Sequence, residues 1–312
     1  MLKTRDTINY QVKYNFLKFK TIFFVCSIIL ITYFIFSIVI FGLNFGVDFS
    51  GGLLIEARTE RAVVFSEVRT RLNALKIGNV ALQNVVGTDH TMIIRLQQRE
   101  NAETQHTALA KIREALGTGV EFRRTELVGP KVGHELIMSG LWATALSILA
   151  IAGYIWFRFE WQFGLGSMLA LLHDVVATVG LFSVTQMEFN LTSIAAILTI
   201  AGYSINDSVV VYDRVRENLY KYKKAPLDVL LNLSLNETLS RTLLTSATTA
   251  LVVVAILAFG GDVLRGFAVA MLWGIVVGTY SSIYIGIPVL LFLNVQQFSE
   301  IWRPRPSTNR KE

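Results

Sequence analysis

Six long apolar stretches restrict this chain to a membrane fold. Each has about 20 residues or more, and a helix that rises about 1.5 Å per residue crosses the hydrocarbon core with that length. Hydrophobic residues make up 53% of the chain and charged residues 17%, a balance typical of membrane proteins. The stretches are 21–41, 136–157, 163–184, 190–213, 241–259 and 266–292. The sequence therefore predicts an α-helical polytopic membrane protein with six transmembrane helices.

The Lys and Arg residues between these stretches predict the orientation of the chain. One side of the membrane receives sixteen of them, whereas the short connections on the other side hold one, Arg265. The sixteen lie in 1–20, 158–162, 214–241 and 293–312. Because Lys and Arg are retained on the cytoplasmic side, we expect a cytoplasmic N-terminus and tail, and an outer region 42–135. The excess positive charge then faces anionic membrane lipids, so nucleic acid is not an expected partner.

The region 42–135 contains no apolar stretch and predicts one small domain outside the membrane, which we call the outer domain. Its apolar residues alternate in four segments and recur at helical spacing in two others. The segments are 53–58, 62–75, 79–86, 91–97, 101–116 and 119–128, with a hairpin turn at 87–90. Their order, β-α-β-β-α-β, is that of a ferredoxin-like α+β domain. No catalytic cluster occurs in it, which favours a binding or mechanical module over an enzyme.

Asp207 interrupts the fourth apolar stretch, and an ionisable residue within a span indicates a functional site. Polar residues precede it at helical spacing, and others follow Arg241 at the start of the fifth stretch. The first set is Thr199, Tyr203 and Ser204, and the second is Thr245, Thr248 and Thr249. Two such faces predict a water-accessible polar seam in which a carboxylate could load and release a proton. The alternatives are a structural pairing of Asp207 with Arg241 or with a backbone group, and an Arg241 that only extends to the membrane surface.

Other residues within the stretches are weaker candidates for function. His173 and Asp174 lie near the middle of the third stretch, where a buried pair could relay protons or fix helix packing. Asp213 lies nearer the cytoplasmic edge, beside two Arg residues, which favours a solvated or salt-bridged helix end over proton conduction. Gly274 and Gly278 form a G-x-x-x-G pattern in the sixth stretch and predict a helix-packing face.

Five short motifs resemble those of one family of membrane proteins. They follow one another from the first stretch to the sixth, and the motif in the fourth stretch is the most specific. The motifs are 46–52 (GVDFSGG), 128–133 (VGPKVG), 172–175 (LHDV), 202–218 (GYSINDSVVVYDRVREN) and 240–242 (SRT). On these motifs the chain resembles the SecD/SecF family of the resistance-nodulation-division superfamily, whose halves have six spans and a large outer loop after the first.

The resemblance implies a subunit of the Sec protein translocase that couples the proton motive force to the export of unfolded preproteins. Its partners would be a SecD-like subunit, the Sec channel, other Sec accessory membrane proteins and the preprotein itself. Protons would be the coupling ion, with no cofactor or metal and no enzymatic activity. Asp207 and Arg241 match the proton-conducting residues of the family. The location implied is the bacterial inner membrane, with both termini cytoplasmic and 42–135 periplasmic.

Two other functions stay open on the sequence alone. The chain could be half of a proton-driven small-molecule exporter of the same superfamily, although such pumps carry far larger outer loops. It could also be a passive scaffold subunit, in which case Asp207 and Arg241 would be dispensable.

Overall fold

The computed structural model describes residues 14–59, 64–75, 77, 80–84, 90–97, 102–117, 119–223, 225–293 and 295. Most of the predicted basic N-terminus 1–20 lies outside these residues. So do positions 87–89 of the predicted hairpin turn and all but two residues of the predicted tail 293–312.

The first half of the chain forms one long helix followed by a small sheet with its own helices. A single 3-10 turn, Phe16–Phe19, leads into the long helix. The elements are α1 (Lys20–Phe41), α2 (Val47–Ser50), β1 (Gly52–Thr59), α3 (Phe65–Ala74), β2 (Val80–Asn84), β3 (Thr91–Gln97), α4 (Ala102–Leu116) and β4 (Val120–Val128).

The second half is helical. It contains α5 (Pro130–Arg158), α6 (Trp161–Thr185), α7 (Leu191–Lys221), α8 (Leu227–Phe259), α9 (Gly261–Ser281) and α10 (Ile287–Phe292), with a π-helical turn, Ser282–Gly286, between the last two. Six helical segments are long and apolar enough to cross a membrane, which confirms the six predicted spans. The first span is α1, the second to fifth are α5 to α8, and the sixth combines α9 with α10.

Two helices extend well beyond the apolar stretches that predicted them. The helix α7 continues past 213 to Lys221, and α8 begins at Leu227 instead of 241. Their polar flanks pack against each other, since the Asn218 side-chain amide donates a 2.9 Å hydrogen bond to Ser234 Oγ, and both residues are buried. Hydropathy detects only the apolar part of such a helix. The predicted stretches therefore omitted the C-terminal part of α7 and the N-terminal part of α8.

The outer domain is built on a four-stranded antiparallel sheet in the order β2-β3-β1-β4. The element order along the chain is the predicted β-α-β-β-α-β. The helices α3 and α4 contribute to one apolar core with the two inner strands. That core includes Leu53, Ile55, Leu72, Met92, Ile94 and Ile112, all at most 1% exposed.

The six spans differ in how much of their surface the chain itself covers. Half or more of the third, fourth and sixth spans is buried, whereas the first, second and fifth spans are mostly exposed. The helix α7 packs against α9, and α6 packs against both of them and against α1. The buried ionisable residues of the third and fourth spans, His173, Asp174 and Asp207, therefore lie at the centre of the helical bundle.

The outer domain is fastened to residues 186–190, the connection between α6 and α7, which we call the outer loop. The Gly46 backbone N–H donates a 2.9 Å hydrogen bond to the Phe189 carbonyl. Arg95 of β3 forms an ion pair with Glu188 of the loop. The N-terminal residues bond to the start of α8, at the opposite end of the bundle.

Candidate functional site between the third, fourth, fifth and sixth spans

Asp207 is buried on α7, with 7% of its surface exposed. Its Oδ1 accepts a 2.7 Å hydrogen bond from Thr242 Oγ1 of the fifth span. Its Oδ2 accepts a second bond, also of 2.7 Å, from Ser282 Oγ of the sixth span. The carboxylate forms no ion pair with any described residue. Neutral hydroxyl groups from two other spans therefore hold it in place.

Arg241 is not among the described residues that contact the Asp207 carboxylate. The Arg241 side chain lies on the exposed side of α8, and the next residue, Thr242, makes the contact instead. Successive residues of a helix point about 100° apart, so the two neighbours cannot face α7 together. The structure thus brings both predicted residues to one region without pairing them directly.

The polar seam between the spans uses other residues of α8 than the sequence predicted. The hydroxyl groups of Thr245, Thr248 and Thr249 donate hydrogen bonds to backbone carbonyls of their own helix. The residues that reach across are Thr242 and Ser246, which lie one helical turn apart. Ser246 Oγ accepts a 2.9 Å hydrogen bond from Tyr203 Oη and lies 2.8 Å from Thr279 Oγ1 of α9, where either hydroxyl is a suitable donor. The predicted face of α8 was wrong by one residue, a rotation of about 100°.

His173 and Asp174 form a buried pair on α6, next to the seam. The Asp174 side chain is fully buried, and its Oδ1 lies 3.0 Å from His173 Nδ1. Its Oδ2 accepts hydrogen bonds from Ser204 Oγ at 2.6 Å and from Ser281 Oγ at 2.7 Å. This carboxylate therefore joins the third span to the fourth and the sixth.

Ser281 and Ser282 are consecutive, yet they contact carboxylates on two different helices. The π-helical turn begins at this point. Pro288 accounts for a break in regular hydrogen bonding here, because it has no N–H to pair with the carbonyl of Tyr284. Single π-helical turns inside α-helices are frequent at functional sites. The sequence analysis did not select this serine pair, although it continues the small-residue face that begins at Gly274.

Gly274 and Gly278 lie where α9 packs against α7. A Cβ atom on Gly274 would overlap the Ile200 side chain, so only glycine permits this approach. A Cβ on Gly278 would lie 3.4 Å from Ser204 Cβ and 3.6 Å from Asp174 Oδ2, which is ordinary contact. Gly274 therefore allows α9 to approach α7 closely, on the face from which Ser281 reaches the third span.

Asp213 lies apart from this cluster, near the end of α7. Its carboxylate forms a half-exposed ion pair with Arg158 at 3.0 Å. This agrees with the salt-bridged helix end that the sequence favoured. As for metal ions, no group of three or more His, Cys, Asp or Glu side chains that could hold one occurs in the part of the chain that the structure describes.

Two family models match the chain. The model described as protein export membrane protein SecD/SecF, C-terminal, matches residues 108–296. The model of the SecD/SecF GG motif matches residues 36–63, which include the segment 46–52. The first match covers more than half of the chain and includes the second to sixth spans.

Relatives of similar length carry one name. The protein translocase subunit SecF of Rickettsia akari is 44% identical over 292 residues, which cover 93% of this chain and 94% of that protein. The corresponding subunit of Rickettsia conorii is 46% identical over 288 residues, which cover 91% of this chain and 93% of that protein.

A solved structure shows the same fold within a longer chain. The crystal structure of SecDF from Thermus thermophilus, described as a translocon-associated membrane protein, superposes with a TM-score of 0.78 at 35% identity. The match covers 91% of this chain but only 39% of the SecDF chain. A second SecDF structure, in a super-membrane-facing form, has a TM-score of 0.66 at 34% identity and covers 92% of this chain and 40% of that one. The chain therefore belongs to the SecD/SecF family of protein export membrane proteins, and within it to the SecF translocase subunits.

Proposed function

We propose that this chain couples the proton motive force to the export of unfolded preproteins through the Sec channel. In this proposal Asp207 binds the coupling proton. The main observation in its support is the environment of the Asp207 carboxylate. The group is buried in a span and held by two neutral hydroxyl groups, Thr242 and Ser282. A hydroxyl both donates and accepts hydrogen bonds, so each can serve the charged and the protonated form of the carboxylate.

The cost of an ionisable group in this place supports a functional role. A charged side chain in the centre of a membrane costs several kcal/mol, so such groups persist where they carry ions or protons. One elementary charge that crosses 100 mV releases about 2.3 kcal/mol, which is enough to bias a modest domain movement. The proton is the coupling ion in this proposal, and no cofactor takes part.

Arg241 has a tuning role in the same cycle. It lies near the middle of α8, at the first position of the apolar stretch 241–259, and its side chain is exposed in the isolated chain. A movement of α8 that brings its guanidinium toward Asp207 would favour the charged carboxylate, and the reverse movement would favour the protonated form. The cycle therefore alternates between two positions of the fifth span.

A SecD-like subunit completes the membrane part. The exposed face of α8 carries Arg241, Thr245 and Thr248, and polar groups in contact with lipid tails are unfavourable. A second six-span unit of this family would cover that face. The SecDF chains, of which this chain matches about two fifths, contain additional sequence in one polypeptide that could supply it.

The outer domain acts on the substrate in this proposal. It lies at the end of the bundle opposite the N-terminal residues, and the outer loop joins it directly to α6 and α7. In the orientation expected from the Lys and Arg distribution, it faces the periplasm of a bacterial inner membrane, and both termini face the cytoplasm. Movements of α6 and α7 would then move the domain that holds the emerging preprotein.

Gradient-dependent export into inverted membrane vesicles tests this function. Asp207→Asn keeps the size and hydrogen-bonding capacity of the side chain but cannot ionise, so it should abolish the gradient-dependent part of export and leave ATP-driven export intact. Asp213→Asn is the matched control, because it removes a carboxylate from the same helix at a half-exposed ion pair. Wild-type gradient-dependent export in the Asp207 variant, at equal expression, would favour a passive scaffold and overturn the proposal.

A further inference from the structure

The His173–Asp174 pair has a place for a proton that the proposed cycle does not use. Asp174 accepts hydrogen bonds from Ser204 and Ser281 at Oδ2, and its Oδ1 faces His173 Nδ1 at 3.0 Å. The other ring nitrogen, Nε2, is buried and has no hydrogen-bond partner within the described ranges. With its proton on Nδ1, the imidazole presents Nε2 as an unoccupied acceptor.

The two buried carboxylates are linked through the sixth span. Ser281 donates to Asp174 and the adjacent Ser282 donates to Asp207, each at 2.7 Å. A second link runs along α7, where Ser204 donates to Asp174 from a position one helical turn before Asp207. A change in the protonation of one carboxylate therefore alters the hydrogen bond that positions the start of the π-helical turn, and with it the partner of the other carboxylate.

We infer that His173 and Asp174 form a second proton-binding site, coupled to Asp207 through the adjacent hydroxyl groups of Ser281 and Ser282. Its role in transport rests on the proposed function, whereas the binding of the proton does not. Ser281 and Ser282 act as positioning residues, since their hydroxyl groups contact the two carboxylates and remain neutral.

The proton step is balanced within the pair. A proton from water binds at His173 Nε2, and the ring passes its Nδ1 proton to Asp174 Oδ1. The pair thus gains one proton and becomes a neutral imidazole beside a neutral carboxylic acid. The reverse sequence releases the proton, and no other reactant is needed.

The titratable groups around the pair are few. Tyr280 of the sixth span faces the His173 ring, with 6.1 Å between the ring centroids, and its hydroxyl contacts Ser27 of the first span close to Cys26. Asp207 is the neighbouring carboxylate on α7, and Arg241 of α8 is adjacent along the chain to Thr242, the partner of Asp207. The helix α10 has no ionisable residue, and α5 has none between Glu135 and Tyr154. The coupling therefore runs mainly between the two carboxylates.

Infrared spectroscopy of the full chain, purified with its SecD-like partner into lipid nanodiscs, tests the coupling. A pH titration follows the C=O stretch of protonated carboxylic acids, and the Asp207→Asn variant assigns the Asp207 band. Asp174→Asn should remove a further band and move the titration midpoint of the Asp207 band by about one pH unit or more, as for interacting sites. Ser281→Ala keeps both carboxylates and should move both midpoints.

Ser183→Ala is the matched control. It removes a buried hydroxyl from α6 that bonds to Ser37 and contacts neither carboxylate, so both midpoints should stay at their wild-type values. An Asp207 midpoint that is unchanged in both Asp174→Asn and Ser281→Ala would overturn the inference, as would the absence of any band that Asp174→Asn removes. Neither result depends on export, so this inference and the proposed function can fail separately.

Discussion

Asp48 Oδ2 accepts a 3.0 Å hydrogen bond from the backbone N–H of Leu191, the first residue of α7. Asp48 belongs to the short helix α2, which leads into the sheet of the outer domain, and α7 carries Asp207. The helix that holds the buried carboxylate is therefore attached at its N-terminus to the outer domain. A negative charge at this end of a helix also interacts favourably with the helix dipole.

Removal of this hydrogen bond should weaken the coupling of the outer domain to the spans, although the bond of Gly46 to Phe189 and the ion pair of Arg95 with Glu188 remain. Asp48→Ala loses the hydrogen bond and should lower the free energy of unfolding by about 0.5–1.5 kcal/mol, the usual net contribution of one hydrogen bond. Gradient-dependent export should fall more strongly than ATP-driven export. Asp48→Asn retains an acceptor oxygen and should lose less in both measurements. Thermal unfolding in detergent and vesicle export check these values, and equal export in wild type and Asp48→Ala would contradict the link.

The hydroxyl of Thr242 should matter for the proton cycle although it cannot carry charge. Thr242→Val replaces the donor to Asp207 Oδ1 by a methyl group of nearly the same volume. Because a buried carboxylate then loses one of its two partners, we expect a clear loss of gradient-dependent export. Thr144→Val is the control, since among the described residues this hydroxyl bonds to the Gly140 carbonyl of its own helix and not to another span. A similar reduction in both variants would show that the loss is not specific to Asp207.

The close approach of α9 to α7 should depend on Gly274. Gly274→Val places side-chain atoms into Ile200 and should destabilise the folded protein by about 1–3 kcal/mol, as overpacked cores do. Gly266→Val puts the same side chain on the same helix, at a position where nothing lies within 4 Å of an added Cβ. Thermal unfolding of the two variants should therefore differ clearly. Matching unfolding temperatures would mean that α9 does not pack on α7 through Gly274.

The orientation expected from the Lys and Arg residues can be measured with single cysteines. Thr107 lies in α4 of the outer domain, and Lys223 lies in the turn between α7 and α8. In a Cys26→Ser background, Thr107→Cys should react with an impermeant thiol reagent added to intact spheroplasts, because its domain faces outward. Lys223→Cys should react only after lysis. The opposite pattern would reverse the orientation.

The sequence was sufficient to locate the spans and the central carboxylate. Length and hydropathy identify membrane helices in a sequence, because a chain in an apolar medium must satisfy its backbone hydrogen bonds within each helix. Asp207 could be identified from the sequence because ionisable residues are rare within transmembrane segments. The order of strands and helices in the outer domain also followed from local periodicity, which depends only on neighbours along the chain.

The partners of the carboxylates were decided by the packing of the helices. Whether Arg241 or Thr242 faces Asp207 depends on the rotation of α8 about its axis, and one residue changes that rotation by about 100°. The contacts of Ser281 with Asp174 and of Ser282 with Asp207 require a particular position of α9 and the π-helical turn that follows it along the chain. These are relations between segments that lie up to 107 residues apart, and local periodicity holds no information about them.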